Sequence, residues 1–110
     1  MTAFSRRVTD VGDVHVVSLV GELDMETANG LADWLVEISG SVVVVDLSKL
    51  TFMDSSGIAA VVKARAEIEN GGSELKLTRP VPNVARVLEI VGLSEWVDDW
   101  DPAWEPKLTA

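Results

Sequence analysis

Four consecutive residues, Asp54-Ser55-Ser56-Gly57, carry the most suggestively placed reactive groups of this chain. They stand where a β-branched run, Val42 to Val45, gives way to apolar residues at helical spacing, Ile58, Val61, Val62 and Ile68. Two hydroxyls therefore fall at the start of a helix. The first turn of a helix has amides without intrahelical partners and a partial positive charge, so it receives anions well. Three roles are open to a serine there: it caps the helix, coordinates an anion, or accepts a phosphate. Capping is the common fate of Ser and Asp at this position. Two serines after an aspartate are nonetheless more than a cap requires.

Other chemistries lack their residues. The chain has no cysteine, which excludes disulfides, thiolate metal sites and cysteine nucleophiles. Its one histidine, His15, alternates with Val14 and Val16 and is expected on the polar face of a strand. Without a second histidine or a carboxylate cluster nearby in sequence, neither a zinc site nor a Ser-His-Asp triad can be assembled around it. Ser55 has no visible base, and the Gly-x-Ser-x-Gly elbow of a hydrolase is absent, so an enzyme is poorly supported. A phosphorelay receiver using Asp54 as acceptor would need an acidic cluster after its first strand, and only Glu22 and Asp24 follow Val14 to Val20. No glycine loop of the phosphate-cradling kind is present, and no cofactor is implied.

A net charge of −9 over 110 residues repels nucleic acid and anionic membrane surfaces. It suits a basic protein partner, and solubility alone accounts for it equally well. Met1 to Asp10 lacks the apolar core of a secretory signal, and no apolar run has the length of a membrane-spanning helix, so the cytoplasm is the expected location.

The elements that must position the serines follow from pattern. Phe4 to Thr9 and Val14 to Val20 read as strands, joined through Asp10-Val11-Gly12-Asp13 as an antiparallel hairpin. Asp24 stands before a helical stretch with Ala28, Leu31, Leu35 and Ile38 at spacings of three and four, closed by Gly40; its carboxylate is placed to cap that helix. Gly30 within it marks a close approach to the sheet. Val42 to Leu47 is the next strand, followed by a short apolar loop and the helix from Asp54 to Gly71-Gly72. Glu74 to Thr78 alternates as a strand, and Val84, Val87, Leu88 and Val91 define a last helix between Pro82 and Gly92. The order β-β-α-β-α-β-α predicts one small mixed sheet, mostly parallel with its first strand antiparallel, covered by helices more fully on one face. One domain spans 1–110, with its core at about 5–97 and a tryptophan-rich tail, 98–110.

Gly21-Glu22-Leu23-Asp24, Val45-Asp46-Leu47, Phe52-Met53-Asp54-Ser55-Ser56-Gly57 and Val91-Gly92-Leu93 together resemble the bacterial anti-sigma factor antagonists of the STAS domain. The resemblance implies a partner switch. Unphosphorylated members bind an anti-sigma factor that is also a serine kinase and so free the sigma factor. The kinase then phosphorylates the first serine after the aspartate, here Ser55, and a separate serine phosphatase resets it. The protein would be a substrate and carry no catalytic residue. The resemblance gives Asp24 a part in partner or kinase recognition, compatible with its capping role. Ser56 matches the second serine, for which capping is the better reading, and Asp54 either positions the Ser55 hydroxyl or joins the cap. Phe52 and Met53 are expected beside the site, offering apolar contact to a partner or packing into the core, and Gly57 completes the partner-binding block. The alternative is a STAS scaffold subunit of a stress-signalling or lipid-transport complex, with a serine that is never phosphorylated. The tail departs from the family: Trp96, Trp100 and Trp104, interrupted by Pro102 and Pro106, either meet a partner or second copy, or pack back over the sheet. Packing back is the favoured reading.

Overall fold

The computed structural model describes residues 4–38 and 42–98. Its elements are β1 (Ser5–Val11), β2 (Val14–Leu23), α1 (Leu31–Ile38), β3 (Val42–Met53), α2 (Ser55–Asn70), β4 (Glu74–Thr78), α3 (Pro82–Ile90), a 3₁₀ turn (Ser94–Trp96) and β5 (Val97–Asp98). They form one sheet in the order β1-β2-β3-β4-β5, with β1 antiparallel to β2 and every other pair parallel. The expected succession holds, with one short edge strand added at the end.

Side-chain parity assigns the faces. Val17 pairs with Val45, which pairs with Leu77, and these residues turn toward Leu31 and Leu35 of α1 and Val61, Ala64 and Ile68 of α2 in one continuous core. Val84 and Leu88 of α3 join the same cluster. The α2 stripe is therefore Gly57, Val61, Ala64 and Ile68, while Val62 is 40% exposed. A small residue, Ala64, fills the inner position that the larger Val62 was expected to share. His15 also differs from expectation: it pairs with Val43 and shares the helix-covered face, at the hairpin end, with its Nδ1 2.5 Å from Asp10 Oδ1.

Two expected boundaries move. β3 does not stop at Leu47 but continues to Met53, with one extra residue opposite Ser18–Val20 and another opposite Gly21–Glu22. Such bulges interrupt the two-residue alternation by which a strand is recognised, and they bend it. α1 starts only at Leu31, and residues 25–30 form turns. Gly30 lies at φ +81, and a Cβ there would meet nothing within 4 Å. Its role is a left-handed backbone that ends the turns, not a close approach to the sheet. Gly40, Pro102, Trp100, Trp104 and Pro106 lie outside the described residues; Trp96 lies within them, half-buried against the core, with the Arg65 guanidinium 4.0 Å from its ring centre.

One ion pair reaches into the sheet. Asp46 of β3 is 5% exposed, accepts the Ser48 amide at 3.0 Å and lies 2.6 Å from Arg79 Nη2. Arg79 follows β4 in a left-handed conformation, φ +53, at a cost of about 1 kcal/mol for a residue with a side chain. Burial opposes ionisation of Asp46, but the Arg79 guanidinium and the Ser48 amide and hydroxyl outweigh it and hold the carboxyl below its ordinary range. Stability from a carboxyl so depressed is complete above its unfolded pKa, near 3.8, and is lost as pH falls through the lower folded value. Asp46→Asn is expected to cost about 1–3 kcal/mol at pH 7 in urea denaturation, toward the lower end because Arg79 is partly exposed. The gap from the parent protein should narrow at pH 3.

Candidate functional site

β2 and β3 run parallel and end together, Leu23 opposite Met53. The residue after each end is an aspartate, so Asp24 and Asp54 stand side by side at the same edge of the sheet. Each one closes its strand and starts a turn of helical sense, for the same reason: a carboxylate accepts amides that helical geometry leaves without carbonyl partners.

Asp54 is extended, φ −110 and ψ −170, and its Oδ1 accepts the amides of Ser56 at 2.9 Å and Gly57 at 3.2 Å. Its own amide donates to Leu23 O at 3.2 Å, and its carbonyl accepts from Ile58 at 3.0 Å. The cap of α2 is thus Asp54, and the expectation that Ser56 caps is corrected: Ser56 is capped, because its amide, not its hydroxyl, makes the bond. Ser55 occupies the first helical position and is exposed, and none of the described residues hydrogen-bonds its hydroxyl. The first turn of α2 contains no acidic residue.

Asp24 does the equivalent for residues 25–30. Its Oδ1 accepts the amides of Glu26 and Thr27, both at 3.0 Å, and its carbonyl accepts from Ala28 at 2.8 Å. The Thr27 hydroxyl accepts the Asp24 amide at 2.9 Å and lies 2.7 Å from Glu22 O, locking the turn to the end of β2. The Thr27 amide, against some desolvation and with the Thr27 hydroxyl and Glu26 amide, holds the Asp24 carboxyl below its ordinary range. Asp24 therefore caps, though it caps these turns and not α1, which begins seven residues later at Leu31.

The remaining expected residues divide. Phe52 is 43% exposed and available to a partner, whereas Met53 is 2% exposed and is not. The reason is the strand: neighbours on β3 point to opposite sides, and Met53 turns inward under α2. Gly57 is buried as well, so it serves packing and not partner contact. A Cβ there would lie 2.9 Å from Leu23 Cδ2 and Cγ and 3.0 Å from Met53 Cγ, so only glycine lets α2 sit this close to the strand ends. One exposed residue escaped sequence reasoning. Met25 is 78% exposed directly after Asp24 and borders a groove of about 550 Å³ that runs past Asn29, Asp33, Ser56 and Lys63. Its signal was an apolar residue off the helical period, between two acidic ones.

The site is a hydroxyl on a preformed helix terminus, flanked by two structural carboxylates and two exposed apolar side chains. Among the described residues no base contacts the Ser55 hydroxyl. Among the described residues no helix is long and apolar enough to cross a membrane.

Known proteins share this arrangement of elements. The STAS domain family model matches residues 5–105. An anti-sigma-B factor antagonist of Listeria monocytogenes is 33% identical over 96 residues, spanning 84% of this chain and 81% of its own. The anti-sigma factor antagonist SpoIIAA in its unphosphorylated form superposes with a TM-score of 0.78 at 24% identity, over 97% of this chain and 96% of its own. The Bacillus cell fate determinant SpoIIAA in the phosphorylated form does so with a TM-score of 0.71 at 23% identity, over 98% and 100%.

Two substitutions test the division between cap and packing. Asp54→Ala should destabilise the domain by about 1 kcal/mol, the usual cost of a lost N-cap, measured by thermal or urea unfolding. Gly57→Ala should cost about 1–2 kcal/mol in the same measurement, since overpacking outweighs the gain in helix propensity.

Proposed function

The chain belongs to the STAS domain family, and we propose that it acts as an anti-sigma factor antagonist whose docking is ended by phosphorylation of Ser55. The observation that carries this reading is the freedom of the Ser55 hydroxyl. Asp54 alone meets the capping need of α2, so Ser55 is left exposed and unengaged at the helix start. The partner is an anti-sigma factor that is also a serine kinase, and a serine phosphatase restores the hydroxyl. That an antagonist of this fold is known in unphosphorylated and phosphorylated forms supports the reading.

Phosphorylation adds about −1.5 to −2 charges and three acceptor oxygens. The helix start tolerates this charge through its dipole and the absence of first-turn acids. The fold therefore persists while the surface changes. With Asp54 and Asp24 beside it, the new phosphate concentrates negative charge on a face whose apolar contacts are Met25 and Phe52. A partner surface shaped to receive a small neutral hydroxyl there is penalised by both bulk and desolvation.

The expected outcome is that Ser55→Ala retains a small ATP-binding kinase from the native cytosol and Ser55→Asp loses it, with affinities at least about tenfold apart. Both variants should unfold within about 0.5 kcal/mol of the parent, as exposed positions do. Equal recovery of the same partners by both would instead favour a scaffold role in which charge at residue 55 controls nothing.

A further inference from the structure

The opposite edge of the sheet carries information that the switch does not use. Among the described residues β1 pairs only with β2, and Ser5 to Asp10 are exposed along its length. The direction of its backbone groups follows from the hairpin. Gly12 lies at φ +63 and Asp13 has no positive φ, which makes Gly12-Asp13 a type II′ connection between Val11 and Val14. In such a two-residue hairpin the closing pair exchanges both hydrogen bonds, and an antiparallel ladder then alternates. Ser5, Arg7, Thr9 and Val11 therefore bond to β2, and Arg6, Val8 and Asp10 turn their N–H and C=O groups outward.

Exposed edges usually carry a device against pairing, such as proline, a bulge or charged side chains, the last opposing pairing where like charges would meet. β1 has no proline and no register shift against β2. Its outward residues bear opposite charges placed symmetrically about Val8. Arg6 is held over the Trp34 ring at 4.4 Å, and Asp10 meets His15 through Oδ1 only.

We propose that β1 is a homodimer seam, in which the β1 strands of two copies pair antiparallel about a two-fold axis at Val8. In this register Val8 faces Val8 of the second copy, Arg6 faces its Asp10, and Asp10 faces its Arg6. These three pairs are the ones whose backbone groups point outward, and each exchanges two bonds, about six in all. Like charges do not meet. Sliding the axis to Arg6 or to Asp10 would set Arg6 against Arg6 or Asp10 against Asp10, so charge selects one register. A basic or an acidic partner strand would satisfy only half of this pattern; a second copy satisfies all of it. The net charge of −9 per copy opposes association, but at about 0.15 M salt the Debye length is about 8 Å and contact pairs at the seam are screened least. The seam lies two strands from β3, so both copies keep Ser55 exposed and the dimer does not depend on the switch.

Sedimentation velocity of the full chain between about 10 μM and 1 mM should show a reversible dimer with Kd on the order of 100 μM, as befits a small interface. Val8→Pro removes an amide that points away from β2, and should weaken the dimer at least about tenfold while far-ultraviolet circular dichroism stays unchanged. Arg6→Glu should weaken it by about tenfold, and Arg6→Glu combined with Asp10→Arg should restore it. If Val8→Pro fails to fold, the charge exchange decides. A parent protein that stays monomeric at 1 mM, or a dimer that the charge exchange does not restore, would overturn the seam.

Discussion

Asp54 joins three elements through one residue. Its amide binds the last carbonyl of β2, its position ends β3, and its carboxylate and carbonyl receive the first amides of α2. A helix start that is already satisfied by the residue before it has no need of the hydroxyls that follow. The exposure of Ser55 and the placement of Ser56 both depend on this. Gly57, in the first turn of α2, lies where a Cβ would come within 2.9 Å of Leu23 and 3.0 Å of Met53, so only glycine lets the helix start this close to the strand ends.

The surroundings of the site are built in pairs. Parallel strands that end in register set Asp24 beside Asp54, and each aspartate accepts two backbone amides. These carboxylates are committed to the backbone, so the negative field they make is fixed in position. Alternation along β3 then separates Phe52, which faces solvent, from Met53, which supports the helix. Contact and support are adjacent in sequence and opposite in direction. A comparable arrangement anchors the far side of the sheet, where Asp46 pairs with Arg79 next to a buried Thr78.

Much of this was legible from residue order. The strand-to-helix junction at Asp54 stood out because a β-branched run met a helical period across a polar block, and Pro82 and Gly92 bounded α3 as the sequence suggested, with Gly92 at φ +80. What escaped has particular physical causes. The two extra residues on β3 spoil alternation between Leu47 and Met53, so a continuous strand looked like a loop. Gly30 looks the same whether it relieves crowding or adopts a left-handed backbone, and the latter holds. The left-handed Arg79 has no sequence signature, since the ion pair that holds it lies 33 residues away. The burial of Met53 depends on its pairing with Leu23, a contact across thirty residues of chain. The exposure of Phe52 and Ser55 follows from their neighbours in sequence, whereas Asp24 caps turns that the helical spacing did not show.

The independence of the α2 cap from its first serine separates heritable change at this surface position from heritable change in folding. A side chain at position 55 closes no backbone bond and fills no core space, so its replacement is nearly invisible to the folding equilibrium. Lineages of such a domain are then free to exchange the residue at this position while the scaffold stays intact. Positions 54 and 57 have no such freedom, because each is tied to the sheet by contacts that few other residues reproduce. The two kinds of position therefore bear on different quantities: the surface shown to solvent at one, survival of the fold at the other.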